Sequence, residues 1–490
     1  MPDFNFIGAA YSAQSATQDT EECINLYPEI DPTKNPGMPQ MGISPMRGVM
    51  ALYPTPGLVL GVQLPESNPV RAMYTLPGQT AILTVCGSSV YLVNADFSFK
   101  FIGRLLSQSG YCKISDNNLE AMIVDVVARY SYNIDSQTLT MIPYSDGAFV
   151  GGSCVDIIDN YLVYSDPTSQ KWAATDAFST TTQPLSFASK FGSSDNLMGL
   201  IVDHRNVYLL GELSSEVWVD AGLFPFPFEI VPGSSMQHGC AAVQSISRLG
   251  ESFALLTKDT RGQAIVATMN GYQMQRISTH SVEYSMVGQR VSDAVAYTYQ
   301  MSGHEFYVLT LPSIGPNGLT WVYDIATGLW HKWLAWTPSK GFGRHRSNCC
   351  AVLNGQIVVG DYQNGMIYSL SNSVYTDNGA TIRRVRRAPH LTSDLQRMFF
   401  SELQIQFQPG IGLNSGQGSA PQAMLRWSDD GGYTWSSEHW TGMGSTGIYK
   451  NRAIWRRLGW ARDRVFEVVV TDPINCVMVS ANLKAFAGAN

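Results

Sequence analysis

The sequence predicts an all-β protein: a β-propeller of about seven four-stranded units, with six blades as the alternative count, followed by a β-sandwich-like platform module. Only 14% of the 490 residues are charged, while 44 glycines and an aromatic fraction of 11% are typical of many strands and tight turns. Short apolar runs recur at roughly the 40–50-residue spacing of propeller blades. Near the C-terminus, apolar and charged residues alternate at period two, as in half-buried strands.

Residues 1–65 are predicted to form an extended arm that packs on the C-terminal module. Seven prolines between residues 28 and 56 exclude a long helix. The sequence does not open with a basic segment followed by an apolar core, so we expect no signal peptide. We also expect no membrane helix, because no apolar run approaches the roughly 18–20 residues that such a helix needs.

Residues 66–380 carry the repeated units and are predicted to form the propeller. The first unit has four apolar runs, at residues 72–76, 81–86, 89–93 and 97–102, separated by glycine, proline and asparagine turn signals. Four strands in so short a segment are the plan of one propeller blade. Six further units follow this pattern, beginning near residues 121, 155, 199, 243, 294 and 351.

Residues 381–490 are predicted to form a basic β-module. They hold 13 Lys and Arg against 8 Asp and Glu, whereas the preceding 380 residues hold 19 against 31. This uneven charge indicates a polar arrangement of contacts, so we expect this module to dock on a partner while the propeller hangs distally. The predicted contact cluster is Arg383, Arg384, Arg386, Arg387, Arg456 and Arg457. The first four of these residues precede Pro389, and we therefore expect them to be the most exposed.

Residues 428–435, Ser-Asp-Asp-Gly-Gly-Tyr-Thr-Trp, fit the Asp-box pattern S-x-D-x-G-x-T-W. An Asp side chain can accept hydrogen bonds from backbone N–H groups of the following residues and so close a tight turn, while glycine supplies the positive φ that such a turn requires. We therefore predict a structural hairpin, not a catalytic site. Its predicted turn residues are Ser428, Asp430, Gly432, Thr434 and Trp435.

The sequence predicts no catalytic residue, no metal site and no cofactor. The eight histidines form no closely spaced ligand pair, and the eight cysteines are scattered, as buried free thiols made in a reducing cytoplasm would be. A sialidase-like hydrolase is one alternative, because such propellers carry Asp boxes, but they need an early arginine motif that residues 1–60 lack. A carbohydrate-binding propeller with exposed Trp and Tyr platforms is a second alternative and stays open.

Several stretches, taken in their order along the chain, resemble one family. They include Asn-x-Tyr-Pro-Glu at residues 25–29, Thr-Trp-Val-Tyr-Asp at 320–324 and Trp-His-Lys-Trp at 330–333. The most specific part joins the Asp box to Tyr-x-Asn-Arg-x-x-Trp-Arg-Arg-Leu-Gly at 449–459 and Arg-Asp-Arg-Val-Phe at 462–466. Together these resemble the packaged-DNA stabilisation family of short-tailed, podovirus-type phages, whose members are tail hub or nozzle proteins.

The resemblance implies a structural virion protein of a short phage tail, and no enzyme. It implies a homohexameric ring that attaches below the portal and its adapter, retains packaged double-stranded DNA and forms part of the ejection conduit. The implied partners are other copies of the chain, the portal and adapter, a tail needle or tip protein, and a tailspike or fibre. DNA would pass without sequence-specific binding, and no stable membrane insertion is expected. We expect synthesis in the bacterial host cytoplasm and residence in the virion tail.

Overall fold

A computed structural model describes residues 6–31, 50–143, 151–258, 262–393 and 396–488. Within these residues the protein is almost entirely β-structure, with a 3-10 turn at Val243–Ser245 and a short helix, α1, at His280–Met286. No helix in this described part is long and apolar enough to cross a membrane.

The first five strands come from the N-terminal region and serve different parts of the fold. They are β1 (Tyr11–Ser12), β2 (Thr20–Ile24), β3 (Leu26–Ile30), β4 (Met50–Pro54) and β5 (Gly57–Gln63).

Each of the first four blades is an antiparallel sheet whose four strands pair in sequence order. These strands are β6 (Val70–Thr75), β7 (Ala81–Cys86), β8 (Ser89–Asn94) and β9 (Phe99–Arg104); β10 (Lys113–Asp116), β11 (Glu120–Val124), β12 (Arg129–Asn133) and β13 (Thr138–Met141); β14 (Val155–Ile158), β15 (Tyr161–Ser165), β16 (Lys171–Ala174) and β17 (Phe187–Ser189); and β18 (Leu197–Asp203), β19 (Asn206–Gly211), β20 (Ser215–Asp220) and β21 (Phe228–Ile230).

The fifth blade has five strands and the sixth has four, and a two-stranded hairpin follows them. Their strands are β22 (Gly239–Cys240), β23 (Ser247–Leu249), β24 (Ser252–Lys258), β25 (Ile265–Asn270) and β26 (Gln273–Arg276); β27 (Val295–Met301), β28 (His304–Leu311), β29 (Leu319–Asp324) and β30 (Leu329–Lys332); and, in the hairpin, β31 (Leu334–Thr337) and β32 (Gly341–Arg344).

The seventh blade closes the ring with a strand from the N-terminal region. It contains β33 (Ser347–Leu353), β34 (Gln356–Asp361) and β35 (Met366–Ser371), and β5 completes it by pairing antiparallel with β35. β33 packs beside β6 of the first blade. The seven blades confirm the predicted count of about seven units. β5 lies within residues 1–65, which the sequence assigned to the arm, yet it pairs inside the propeller, because its partner is remote in sequence.

The C-terminal module is a sandwich of two sheets. Its strands, together with two short ones that lead into it, are β36 (Thr376–Asp377), β37 (Ala380–Thr381), β38 (Arg384–Arg387), β39 (Leu391–Thr392), β40 (Met398–Phe407), β41 (Gln422–Ser428), β42 (His439–Gly442), β43 (Ala453–Arg456), β44 (Trp460–Ala461), β45 (Asp463–Val470) and β46 (Met478–Ala487). One sheet has the order β2-β38-β45-β41-β42, and the other β3-β4-β46-β40-β43.

The N-terminal strands join the propeller to the sandwich. β2 pairs antiparallel with β38, and its last residue, Ile24, pairs parallel with Lys332 of β30 in the sixth blade. The sheet of that blade therefore continues through β2 into the sandwich. β3 and β4 extend the second sandwich sheet. The predicted packing of an arm on this module thus takes the form of inserted strands.

One apolar core crosses the boundary between the two regions. It contains Trp330 of the sixth blade, Phe6 and Leu26 of the N-terminal region, and Phe400 and Val468 of the sandwich, all at most 2% exposed. Burial of this much apolar surface strongly opposes separation of the propeller from the sandwich.

Candidate functional site on the C-terminal module

The Asp-box hairpin between β41 and β42 is closed by its own side chains. The Ser428 hydroxyl donates to Asp430 Oδ1 at 2.7 Å and accepts the Gly432 N–H at 2.7 Å. The Thr434 N–H donates to Asp430 Oδ1 at 2.9 Å, and the Trp435 indole N–H donates to the Gly432 carbonyl at 3.0 Å. Every polar group named here has a folding role, as the sequence pattern predicted.

The hydrogen bonds to Asp430 also set its acidity. The Thr434 hydroxyl is the largest influence, followed by the Thr434 N–H and the Ser428 hydroxyl, and together they hold the pKa of this carboxyl well below its usual range. Gly431 and Gly432 have φ values of +78° and +100°, which residues with a Cβ rarely adopt. The hairpin is therefore a rigid turn that stays charged at neutral pH.

Asp429, the neighbouring carboxylate, binds a buried arginine. Arg464 is 2% exposed and donates from Nε and Nη2 to the two oxygens of Asp429, at 2.6 and 2.7 Å. Its guanidinium lies 4.7 Å from the centre of the Phe400 ring and also donates to the Leu458 carbonyl. Sequence reasoning missed this contact, because nothing near Asp429 in the chain identifies Arg464 as its partner.

The Asp-box tryptophan packs against a second charged cluster. The Trp435 ring lies 4.8 Å from the Arg387 guanidinium and 4.7 Å from that of Arg426. Both arginines donate to the carboxylate of Glu467, which is 1% exposed, at distances of 2.7 Å from Arg387 and 2.6 Å from Arg426. The hairpin is thereby fixed to β38 and β45.

The prediction that residues 383–387 form the most exposed part of the basic cluster is wrong. Arg384 and Arg386 lie in β38, a central strand, and both are 0% exposed. Arg386 donates to the Ala9 carbonyl at 2.8 Å and to the Glu21 carboxylate at 2.6 Å. Arg384 donates to the Asp472 carbonyl at 3.0 Å, and burial lowers its pKa.

The other two members of this segment are also engaged. Arg387 binds Glu467, and the side chain of Arg383 is only 18% exposed, 5.5 Å from the Trp336 ring centre and 3.8 Å from Glu438. Buried arginines need acceptors, and here the acceptors come from the N-terminal region, from β45 and from the carbonyls of Tyr375 and Asp472. These four residues act as internal braces.

The remaining two predicted contact residues, Arg456 and Arg457, are exposed and belong to a larger basic face on the sandwich. We define the basic face as the exposed cations of the second sandwich sheet and its connecting loops. Its members are Arg397, Lys450, Arg452, Arg456, Arg457, Arg462 and Lys484.

One carboxylate lies among the cations of this face. Glu402 accepts from Arg456 Nε at 2.8 Å, and Lys484 lies 3.2 Å from it. A hydrogen bond from Gln404, followed by that from Arg456, lowers the pKa of Glu402 to about 2. Glu402 therefore remains negative at neutral pH and neutralises only part of the face.

Exposed aromatic rings accompany the basic face. Phe399 and Phe486 stack with their ring centres 5.4 Å apart, and Trp460 is 50% exposed with the Arg397 guanidinium 4.9 Å from its ring centre. Aromatic and arginine side chains are enriched in protein interfaces. This surface has the composition of an assembly interface.

The propeller has its own central cavity, of 450 Å³, lined by one strand from each of the seven blades. Such a volume equals a cube about 8 Å on a side, whereas the major groove alone of B-DNA is about 12 Å wide. A DNA duplex therefore cannot pass along the axis of a single propeller.

Buried histidines in the sixth blade and beside it have structural roles. His304 Nδ1 lies 2.9 Å from Asp324, and this hydrogen bond raises the pKa of His304. Burial lowers the pKa of His331 and of His345 to about 3, so both rings are neutral. Across the ranges that the structure describes, no group of three or more His, Cys, Asp and Glu residues could hold a metal ion.

Comparison with known proteins identifies both regions. Two family models match: bacteriophage P22 Gp10, beta-propeller, over residues 56–375, and bacteriophage P22 Gp10, beta-sandwich, over residues 383–485. No curated protein matches the chain.

Three solved structures are among those that the chain resembles. The WD40 beta propeller domain of Doa1 is 9% identical to this chain with a TM-score of 0.38, and the alignment covers 64% of this chain and 97% of the Doa1 domain. The N-terminal domain of Nup159 is 10% identical with a TM-score of 0.40, covering 65% and 95%. The Neurospora crassa Pan2 WD40 domain is 7% identical with a TM-score of 0.42, covering 65% and 95%.

Proposed function

This chain belongs to the bacteriophage P22 Gp10 family of phage tail structural proteins, and from that premise we propose that it is the ring-forming hub of a short tail. In this proposal several copies, six by family resemblance, surround an axis below the portal and its adapter. The ring retains packaged DNA and later forms part of the ejection conduit. A tail needle or tip protein and a tailspike or fibre are further proposed partners.

The observation that carries the proposal is the narrowness of the propeller's own cavity. Because 450 Å³ cannot admit a duplex, a conduit for DNA requires several copies around a common axis. The sheet that continues from the sixth blade through β2 into the sandwich supports this role, since it joins each copy into one stiff block.

The charge distribution supports a direction of attachment. The basic face lies on the sandwich, whereas the first 380 residues carry an excess of acidic side chains. We propose that the basic face docks on the portal side and the propeller hangs distally. An acidic propeller would repel the DNA phosphates, so DNA would slide past without sequence-specific binding.

The attachment is tested with Arg397→Gln, Arg456→Gln and Arg457→Gln combined in one variant. Binding to capsids that carry portal and adapter should weaken, most clearly at low salt, where charge effects are least screened. The matched control combines Arg104→Gln, Arg205→Gln and Arg290→Gln, three exposed arginines of the propeller. Cryo-electron microscopy of the complex would count the copies and show which end faces the portal.

Normal, salt-insensitive attachment of the folded sandwich variant would contradict docking through the basic face. A monomer beside the portal and adapter, with no ring at any concentration, would contradict the hub itself.

We also propose that the protein has no enzymatic activity and is made in the host cytoplasm. All eight cysteines are free thiols, and burial raises the pKa of Cys112 and of Cys240 to about 12, which keeps them protonated and unreactive. A panel of sialoside, polysaccharide, peptide and DNA substrates should show no turnover. Turnover that is abolished by one substitution at an Asp, Glu or Tyr would contradict this proposal.

A further inference from the structure

The outer face of the second sandwich sheet contains a groove of 530 Å³, and two cations of the basic face, Lys450 and Arg452, line it. Gln404 and Asn482 lie directly opposite each other on β40 and β46, and Gln406 lies two residues further along β40. Their neighbours Leu403, Ile405 and Leu483 point into the core. The floor of the groove is therefore a flat row of amide side chains.

One wall of the groove is an aromatic ring held in place by a glycine. Tyr449 is 70% exposed, and its ring packs against Gly410. A Cβ at position 410 would lie only 2.5 Å from Tyr449 Cε1, so a larger residue there would clash with the ring. Gly410, at φ +76°, thus lets the ring lie against the backbone. The rest of the ring remains open to solvent, as a flat apolar platform.

The charged side chains of the groove are cations. Lys450 and Arg452 are both exposed and line it, and Arg452 donates to Gln404 Oε1 at 3.4 Å. Within the described part of the chain, the side chains of Lys450 and Asn482 have no hydrogen-bond or ion-pair partner. Among the described residues no carboxylate lines the groove, although Glu402 beside it accepts from Gln404 Nε2 at 2.6 Å. Both ends of the Gln404 amide are engaged, so the free hydrogen-bonding groups are those of Asn482 and Lys450, and Lys450 and Arg452 make the charge beside them positive.

From these residues we propose that the groove binds an acidic oligosaccharide. The amide of Asn482 offers a donor and an acceptor side by side, which suits the neighbouring hydroxyl groups of a sugar. The face of an aromatic ring can cover the apolar face of a sugar ring. Lysine and arginine recognise a carboxylate or a phosphate through charge-assisted hydrogen bonds. The proposal does not depend on the hub role, because it concerns the isolated chain.

The test is calorimetric titration of the full chain with three sugars at concentrations up to about 1 mM. Tri-galacturonate supplies carboxylates, mannose 6-phosphate supplies a phosphate, and maltotriose is the neutral control. We expect at least one acidic sugar to bind and maltotriose to bind about tenfold more weakly or not at all.

Two variants locate the site. The double change Lys450→Gln and Arg452→Gln should weaken binding of the acidic sugar about tenfold, and Tyr449→Ala should weaken it as well. The matched controls are Arg104→Gln with Arg290→Gln for charge, and Tyr433→Ala, which is 75% exposed and lies outside the groove, for the ring. Both controls should bind like the wild type.

Three outcomes overturn the proposal. The first is that neither acidic sugar binds. The second is that the groove variants bind as tightly as the controls. The third is that inorganic phosphate competes as well as the sugars while Tyr449→Ala has no effect, since that result would indicate an anion site without recognition of a sugar ring. Loss of capsid attachment leaves these titrations unaffected, so the two proposals fail separately.

Discussion

The propeller and the sandwich are both all-β, but different contacts hold them together. Blades one to six are each formed by one continuous segment, as in β6 to β9, which pair in sequence order. The sandwich instead depends on remote partners. Arg386 binds Glu21, 365 positions away, and Lys332 binds Glu22, 310 positions away. Damage to a blade should therefore remain local, whereas damage to the sandwich should release the N-terminal strands and loosen its attachment to the propeller.

The largest expected effect is at Arg386. Arg386→Ala would remove a fully buried guanidinium that donates to the Glu21 carboxylate and to the carbonyls of Phe6 and Ala9. Breaking such a pair costs about 3–5 kcal/mol of unfolding free energy. Chemical denaturation measures the loss, and hydrogen exchange should rise in β2, β38 and β30 together.

Arg457→Ala is the control, because Arg457 is an exposed arginine of the same module. Exchange that rises in β38 alone, with β30 unchanged, would show that β2 does not couple the two regions.

A blade should respond differently. Leu209 in β19 is 0% exposed, and Leu209→Ala should lower the unfolding free energy by about 2–4 kcal/mol, through lost burial and the cavity left behind. We expect faster hydrogen exchange in the third to fifth blades only. Leu223→Ala, which changes a leucine that is 51% exposed, is the control. Equal exchange increases in β38 and β45 would contradict the proposed locality of the propeller.

The joint between the two regions should respond to pH. Asp377 is 5% exposed, and burial raises its pKa to about 7 despite the opposing charges of Arg346 and Arg384. The folded protein then binds the proton more tightly than the unfolded chain, so stability falls as the pH rises from about 4 to about 7. In the wild type this titration should lower the unfolding free energy by about 1–3 kcal/mol between about pH 4 and about pH 7, and Asp377→Asn should abolish that decrease. Parallel stability curves for variant and wild type would exclude this titration.

The smallest effect is expected at the Asp box. The hydrogen bonds to Asp430 lower its pKa, so the folded state favours the ionised carboxylate. The folded protein is therefore stabilised by this charge above about pH 4, and the stabilisation is lost as the pH falls further. Asp430→Asn should therefore lower the thermal midpoint slightly at pH 7 and less at pH 3, with Asp135→Asn as an exposed control. If the thermal midpoints of Asp430→Asn and the wild type differed by the same amount at both pH values, the charge of Asp430 would not stabilise the turn.

The same contrast explains which features the sequence could predict. The blades and the Asp box were predictable because their hydrogen bonds join residues close in the chain. The burial of Arg384 and Arg386 was not, since their acceptors include Glu21, Ala9 and Asp472, and a run of arginines before a proline otherwise indicates an exposed hinge. The pairing of β5 with β35, and of Gln404 with Asn482, depends on a strand register that no local pattern encodes.

The continuous sheet from the sixth blade to the sandwich also determines when its strands can pair during synthesis. β2 emerges from the ribosome early, yet Arg386, the partner of Glu21, follows 365 residues later. At about 5–20 residues per second, the first strands wait roughly 20–70 s for their partners. During that interval β2, β3 and β5 present unpaired edges, which can pair wrongly with other nascent chains. Slower translation or crowded polysomes should therefore reduce the yield of folded protein before they affect any finished copy.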